Sequence, residues 1–151
     1  KDAFNVKWTA KILDALNHPE RYGGGHIHIS NFYFEENSAP KIVKNIAVFA
    51  GNYLISCTEH LEEVKMRAKY YGMPGKYRIQ YYKDGKKGIE YRTPSNDWFY
   101  FNDYIVNHLE ELLVLGATYE GTFPDEFYKQ TAKAISTVDI ELADVLYSKL
   151  L

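Results

Sequence analysis

The segment Gly23-Gly24-Gly25-His26-Ile27-His28-Ile29-Ser30 sets strict polar and apolar alternation directly behind three glycines, and no other stretch limits the fold as tightly. Residues two apart on an extended strand share a face, so His26 and His28 go to one side and the isoleucines to the other. A second run, Gly88-Ile89-Glu90-Tyr91-Arg92-Thr93-Pro94-Ser95-Asn96, repeats the arrangement with a carboxylate and a guanidinium. Imidazole, carboxylate and guanidinium on strand faces are the chemistry of a site built on a sheet.

The 151 residues are expected to form a single domain, 1–151, long enough to bury a real core. With 18 basic and 20 acidic residues the net charge is -2, so no electrostatic footprint for nucleic acid or an anionic membrane is expected. A single cysteine, Cys57, rules out an intrachain disulfide and fits a reducing compartment, which makes the cytoplasm the expected location. No apolar run has the length of a membrane span, and no signal-peptide pattern opens the chain. The chain starts at Lys1 and enters a helical pattern almost at once, which suggests a piece of something longer.

Apolar residues Phe4, Trp8, Ile12 and Leu16 recur every four positions and predict a helix from Phe4 to Leu16, ended by His18-Pro19. Alternation predicts a strand from about Tyr22 to Phe34, kinked near Asn31. A long helix follows, capped near Ser38, with the stripe Ile42, Ile46, Phe49, Tyr53, Cys57, Leu61 and Val64. The turn cluster Gly72-Met73-Pro74-Gly75 leads to a hairpin of strands Tyr77 to Tyr82 and Gly88 to Arg92, turned at Asp84-Gly85. Asn96 or Asp97 is expected to cap a helix through Leu113 that stops at Gly116. In the tail, Pro124 opens a helix and Ser136 or Thr137 caps another. The order reads as α+β with an antiparallel sheet packed with helices.

Read from the residues alone, His26 and His28 can bind a metal, hold a phosphate or hydrogen-bond in a core. The glycines before them permit positive φ or the close approach of a ligand to the backbone. A His-x-His nuclease would need a tyrosine from a helix, for which Tyr100 or Tyr104 is available. A cupin-like site would need a third histidine and a glutamate at other spacings. His18, His60 and His108 read as helix-end or helix-surface residues, and Lys83, Lys86 and Lys87 as a wet hairpin tip or a loop over a nucleotide.

Taken in order, the glycine-led His26-Ile27-His28-Ile29-Ser30 strand, the long helix, the segment Arg67 to Arg78 with Tyr71-Gly72-Met73-Pro74-Gly75-Lys76-Tyr77-Arg78, and Glu90-Tyr91-Arg92-Thr93 resemble the glutamine synthetase-like carboxylate-amine ligases, or amidoligases, most closely their phage-type branch. The resemblance covers roughly Gly23 to Gly116. It implies a curved antiparallel sheet whose concave face holds ATP, magnesium or manganese, and a small-molecule or peptide carboxylate that is joined to an amine through an acyl phosphate. By the same resemblance His26 and Glu90 bind metal, with Glu90, Arg92 and Arg78 as the catalytic group. Arg92 clamps the transferred phosphate or the substrate carboxylate. His28, Ser30 and Arg67 bind the nucleotide.

The family opens on an acidic strand with further metal-binding carboxylates, and Glu35 and Glu36 come too late to replace it. The resemblance therefore implies the C-terminal portion of a larger ligase catalytic domain, or a site completed by a second chain. A non-catalytic binding or assembly domain that keeps the fold is the alternative of another class.

Overall fold

The computed structural model of the chain describes the backbone of residues 5–10 and the whole of residues 24–151. The protein is α+β. Among the described residues four antiparallel strands, β1 (Asn5–Ala10), β2 (Gly25–Ser30), β3 (Tyr77–Tyr81) and β4 (Lys87–Tyr91), form one sheet in the order β1-β2-β4-β3. The helices are α1 (Ala39–Ile46), α2 (Asn52–Ser56), α3 (Leu61–Ala68), α4 (Asp103–Thr118), α5 (Asp125–Thr137) and α6 (Ile140–Ser148). A π-helical segment, Ala47–Gly51, joins α1 to α2, and a 3-10 turn, Asn96–Tyr100, precedes α4.

The expected Phe4 to Leu16 helix is corrected over its first part, because residues 5–10 are a strand paired with β2 from Asn5↔Ser30 to Ala10↔Gly25. Val6, Trp8 and Ala10 alternate as well as Phe4 and Trp8 repeat, and a six-residue ladder with β2 decides between the two patterns. The rest of that segment, with the His18-Pro19 stop and the start of the strand predicted from Tyr22, lies outside the described residues. At its other end β2 stops at Ser30, short of the predicted Phe34, because Asn31 adopts the left-handed region at φ 67° and turns the chain out of the ladder.

One side of the sheet is the core. Ile27, Ile29, Ile89 and Tyr91 are fully buried against Val43 and Ile46 of α1 and Leu109 and Leu113 of α4. Each such side chain contributes roughly 1.5–3 kcal/mol when removed from water. The expected helical stripe holds in part, with Ile46, Tyr53 and Val64 buried. Val43, Ala47 and Val48 are buried as well, while Ile42 and Phe49 are only partly so, and the π segment adds a residue to the turn after Ile46. The long helix also breaks after Ser56 and restarts as α3, since the Asp97 carboxylate accepts the backbone N–H groups of Glu59 at 2.9 Å and His60 at 3.0 Å.

Three expected helix signals move for local reasons. Asn102, not Asn96 or Asp97, caps α4, its Oδ1 accepting from Ile105 N at 3.0 Å, while Ser95 caps the 3-10 turn. Asp139, not Ser136 or Thr137, caps α6 by accepting from Leu142 N at 3.1 Å. Gly116 does not stop α4, which runs on to Thr118, because this glycine is where α4 crosses α1 backbone to backbone. A Cβ there would lie 2.7 Å from Ile46 Cα and 3.0 Å from Asn45 O.

Gly116→Ala sets two effects against each other. Alanine gains about 1 kcal/mol of helix propensity. Overpacking costs roughly 1–3 kcal/mol, and here the obstacle is main chain that cannot rotate away. The clash is expected to win by about 1–2 kcal/mol, read as a lower urea midpoint with an unchanged slope.

Candidate functional site

The face of the sheet opposite the core carries the polar row. Register places His28 directly across from Glu90 and Glu90 directly across from Arg78, so three strands contribute one line of side chains. His26 and Arg92 lie two residues along on the same face. Arg92 is held at the end of β4 by its backbone N–H, which donates to Lys76 O at 3.0 Å. Strand alternation and register thus bring together His26, His28, Glu90, Arg92 and Arg78, and leave out Arg67.

Glu90 is the centre. Its Oε1 accepts from Arg92 Nη1 at 2.7 Å and pairs with Arg78 Nε at 3.0 Å. Its Oε2 faces His28 Nε2 at 3.2 Å and His26 Nδ1 at 3.7 Å. Burial pushes the Glu90 carboxyl up, but the Arg92 hydrogen bond and the charges of His28, Arg78 and Arg92 outweigh it and hold the group below its ordinary 4.5.

That shift has a sign in stability. As acid is added the unfolded chain takes up the Glu90 proton first, so the stabilisation is complete above about pH 4.5 and is lost as pH falls through the lower native value. Glu90→Gln is expected to lose this part of the acid slope. Urea midpoints of the two proteins between pH 3 and 7, in steps of about one unit, check it; parallel curves would contradict it.

Ser30 ends β2 on the same face, half-buried. Beyond it the chain forms an aromatic-walled groove of about 430 Å³ with Asn31, Phe32, Tyr33 and Phe34 on one side and Lys86 and Lys87 on the other. A neighbouring hollow of about 340 Å³ shares Asn31 and Lys86 and includes Ser30. Lys86 and Lys87 therefore wall a groove at the hairpin end of the sheet, where the sequence left the hairpin lysines between a wet tip and a covering loop.

Arg67 stands apart from the cluster. It is only 6% exposed and donates from Nη1 to Thr93 O at 2.8 Å, while its Nε has no hydrogen-bond partner among the described residues. Burial pulls its pKa down to about 10, which leaves it charged at neutral pH. Gly72, at φ 70°, makes the room, since a Cβ there would sit 2.3 Å from Arg67 Nη1. Arg67 braces the chain just after Arg92.

The glycines before His26 serve a purpose the sequence did not disclose. Neither Gly24 nor Gly25 has positive φ. At Gly25 the close approach is made by the protein itself: a Cβ would fall 2.1 Å from Trp98 Nε1 and 2.2 Å from Ser95 O. Trp98 Nε1 donates to Gly25 O at 3.0 Å, and Gly25 N donates to Pro94 O at 3.0 Å. At Gly24 the missing side chain leaves space for the His26 ring, whose Nε2 would be 2.8 Å from a Cβ.

Sequence reasoning treated Asp97 as a cap and His60 as a helix residue. In the fold they meet: Asp97 Oδ1 lies 2.9 Å from His60 Nδ1, and the Tyr100 ring lies 4.4 Å from the imidazole. Tyr100, a tyrosine that a His-x-His nuclease could use, thus packs on His60, and Tyr104 is exposed at the start of α4. A pairing across 37 residues has no local signal.

The residues present do not, as arranged, fit the magnesium or manganese ion that the family resemblance implies. Among the described residues no group of three or more His, Cys, Asp or Glu is placed to hold an ion, and both Glu90 oxygens face cations or imidazoles. The positions of β1 across from His26 and His28 are Thr9 and Lys7, so that strand adds no carboxylate to the row. What the arrangement can do is bind and neutralise an anion, with two guanidiniums and two imidazoles around one carboxylate. No helix among the described residues is long and apolar enough to cross a membrane. No family model, curated protein or solved structure matches this chain.

Proposed function

We propose that the chain is an ATP-dependent carboxylate-amine ligase, or the C-terminal half of one. The observation that carries the reading is the convergence of His26, His28, Glu90, Arg92 and Arg78 on one non-core sheet face, in the motif order that resembles the glutamine synthetase-like amidoligases. In the reaction a carboxylate oxygen attacks the γ-phosphorus of ATP, and the bond to the bridging oxygen breaks to release ADP. The amine nitrogen then attacks the acyl carbon, phosphate leaves, and the nitrogen gives up one proton.

Both steps pass through phosphoryl groups whose charge is spread over several oxygens, and positioned cations lower the barrier. Arg92 and Arg78 supply that charge. Ser30 borders the hollow beside the aromatic groove, and in this reading the planar base lies against the aromatic walls while His28, across from Glu90, meets the phosphates. Any magnesium or manganese would arrive with the nucleotide, and no step is assigned to it. A small-molecule or peptide acid and an amine are the substrate classes.

The saturated coordination of Glu90 favours one other reading, a non-catalytic binding or assembly domain in which the cluster is a structural ion network. One experiment separates the two. Full-length protein is incubated with ATP, hydroxylamine and pooled small carboxylic acids. The ligase should form a hydroxamate with matching amounts of ADP and phosphate in at least one pool, and absence of both hydroxamate and ATP loss from every pool would discard it.

A further inference from the structure

Glu90 is the anion at the centre of the site, and it has the least access to solvent. Its side chain is 5% exposed, against 29% for Arg92 and 57% for Arg78. Each arginine meets the carboxylate through one nitrogen, whereas a guanidinium carries five N–H donors in a planar fork. The two arginines reach solvent while holding a carboxylate of the protein's own. Two guanidiniums against one carboxylate also leave a surplus positive charge before either imidazole is counted.

We propose that Arg78 and Arg92 form an anion-binding site that works without a divalent ion, and that Glu90 is its resting occupant, displaced when a phosphate or carboxylate of a substrate takes the arginines. The inference rests on the ligase reading for the kind of anion that arrives, and it deepens that reading by naming what the site holds beforehand. It requires no new group to enter the core. The incoming anion meets Arg78 first, because Arg78 is the more exposed, and draws Arg92 from the same Glu90 oxygen.

Competition and support make opposite demands on one substitution. If Glu90 competes for the arginines, Glu90→Gln removes the rival charge and tightens anion binding. If Glu90 only props the arginines in place, the same change weakens it.

Titration calorimetry with tripolyphosphate, and separately with citrate, both in excess chelator, reads the difference. Glu90→Gln should bind tripolyphosphate tenfold or more tighter than the wild type, and Arg78→Gln and Arg92→Gln tenfold or more weaker. Tighter binding confined to citrate would support the site for carboxylates, and tighter binding confined to tripolyphosphate would support it for phosphates. Equal or weaker binding of both by Glu90→Gln, or no binding by any form, would overturn the proposal.

Should Glu90→Gln fail to fold, the wild type still answers. With ¹³C-labelled glutamate, the Glu90 carboxylate resonance should move when tripolyphosphate or citrate is added in chelator, and a stationary resonance in both titrations would overturn the displacement. An anion site that passes while the hydroxamate screen fails would keep this inference and discard the ligase. An active ligase in which Glu90→Gln leaves both anion affinities unchanged would do the reverse.

Discussion

Gly25→Ala is expected to cost at least about 3 kcal/mol of stability, the upper end of what overpacking does. The added methyl would lie 2.1 Å from Trp98 Nε1 and 2.2 Å from Ser95 O, and neither neighbour can yield cheaply. Ser95 O is main chain, and the indole is buried and pinned by its bond to Gly25 O. To accept the methyl, the 95–98 segment must lift off β2, which gives up that hydrogen bond, about 1 kcal/mol, and part of the tryptophan burial. The damage travels, because Asp97 in the lifted segment holds the backbone N–H groups of Glu59 and His60 ahead of α3.

Gly75→Ala is the control. Gly75 has φ 78°, and a methyl added there would meet nothing within 4 Å, so alanine incurs only backbone strain. That strain is about 1–2 kcal/mol. Urea unfolding of the two variants should show Gly25→Ala well below Gly75→Ala. Equal midpoints would mean that the glycine run does not lock β2 to the loop that follows β4.

Arg92→Ala is expected to lower the rate of ATP-dependent hydroxamate formation by the full-length protein by about 10² to 10³, the loss that follows removal of one positioned donor from a charge-stabilising site. Arg92→Lys should recover only part of it. A point ammonium cannot reproduce the planar fork that now meets Glu90 at 2.7 Å. The fold should survive either change, because Glu90 keeps its pairings with Arg78 and His28. A rate within threefold of wild type for Arg92→Ala would remove Arg92 from the chemistry.

The site was legible in the sequence where a single strand decides the matter. Alternation alone puts His26 with His28 and Glu90 with Arg92, since period two fixes the face of every residue on a strand. It also separates Ile27, Ile29 and Ile89 into the core. Which strand lies beside which is not a local property, so the His28–Glu90–Arg78 row emerges only from the pairing of β2 and β3 with β4. Arg67 shows the limit well: its neighbours Lys65 and Lys69 look like a solvated helix end, yet its side chain runs inward to Thr93 O because Gly72 vacates the space.

The same reasoning explains the misread elements. Phe4 and Trp8 fit a helical repeat, but pairing with β2 outweighs local pattern. The stripe from Ile42 to Val64 assumed one uninterrupted helix, and a π segment at Ala47–Gly51 and a break held by Asp97 both depend on distant packing. Gly116 looked like a stop, because a glycine that lets two helices touch has the same sequence signature as one that ends a helix.

Transfer of oxygen from the acid to phosphate tests the central claim most directly. With the acid found in the hydroxamate screen labelled by ¹⁸O in its carboxylate, an acyl phosphate on this face must leave one labelled oxygen in each inorganic phosphate released. Mass spectrometry of that phosphate should show the label in step with amide formation. Unlabelled phosphate, or label recovered in AMP, would mean that this cluster of arginines and histidines does not activate a carboxylate by phosphorylation.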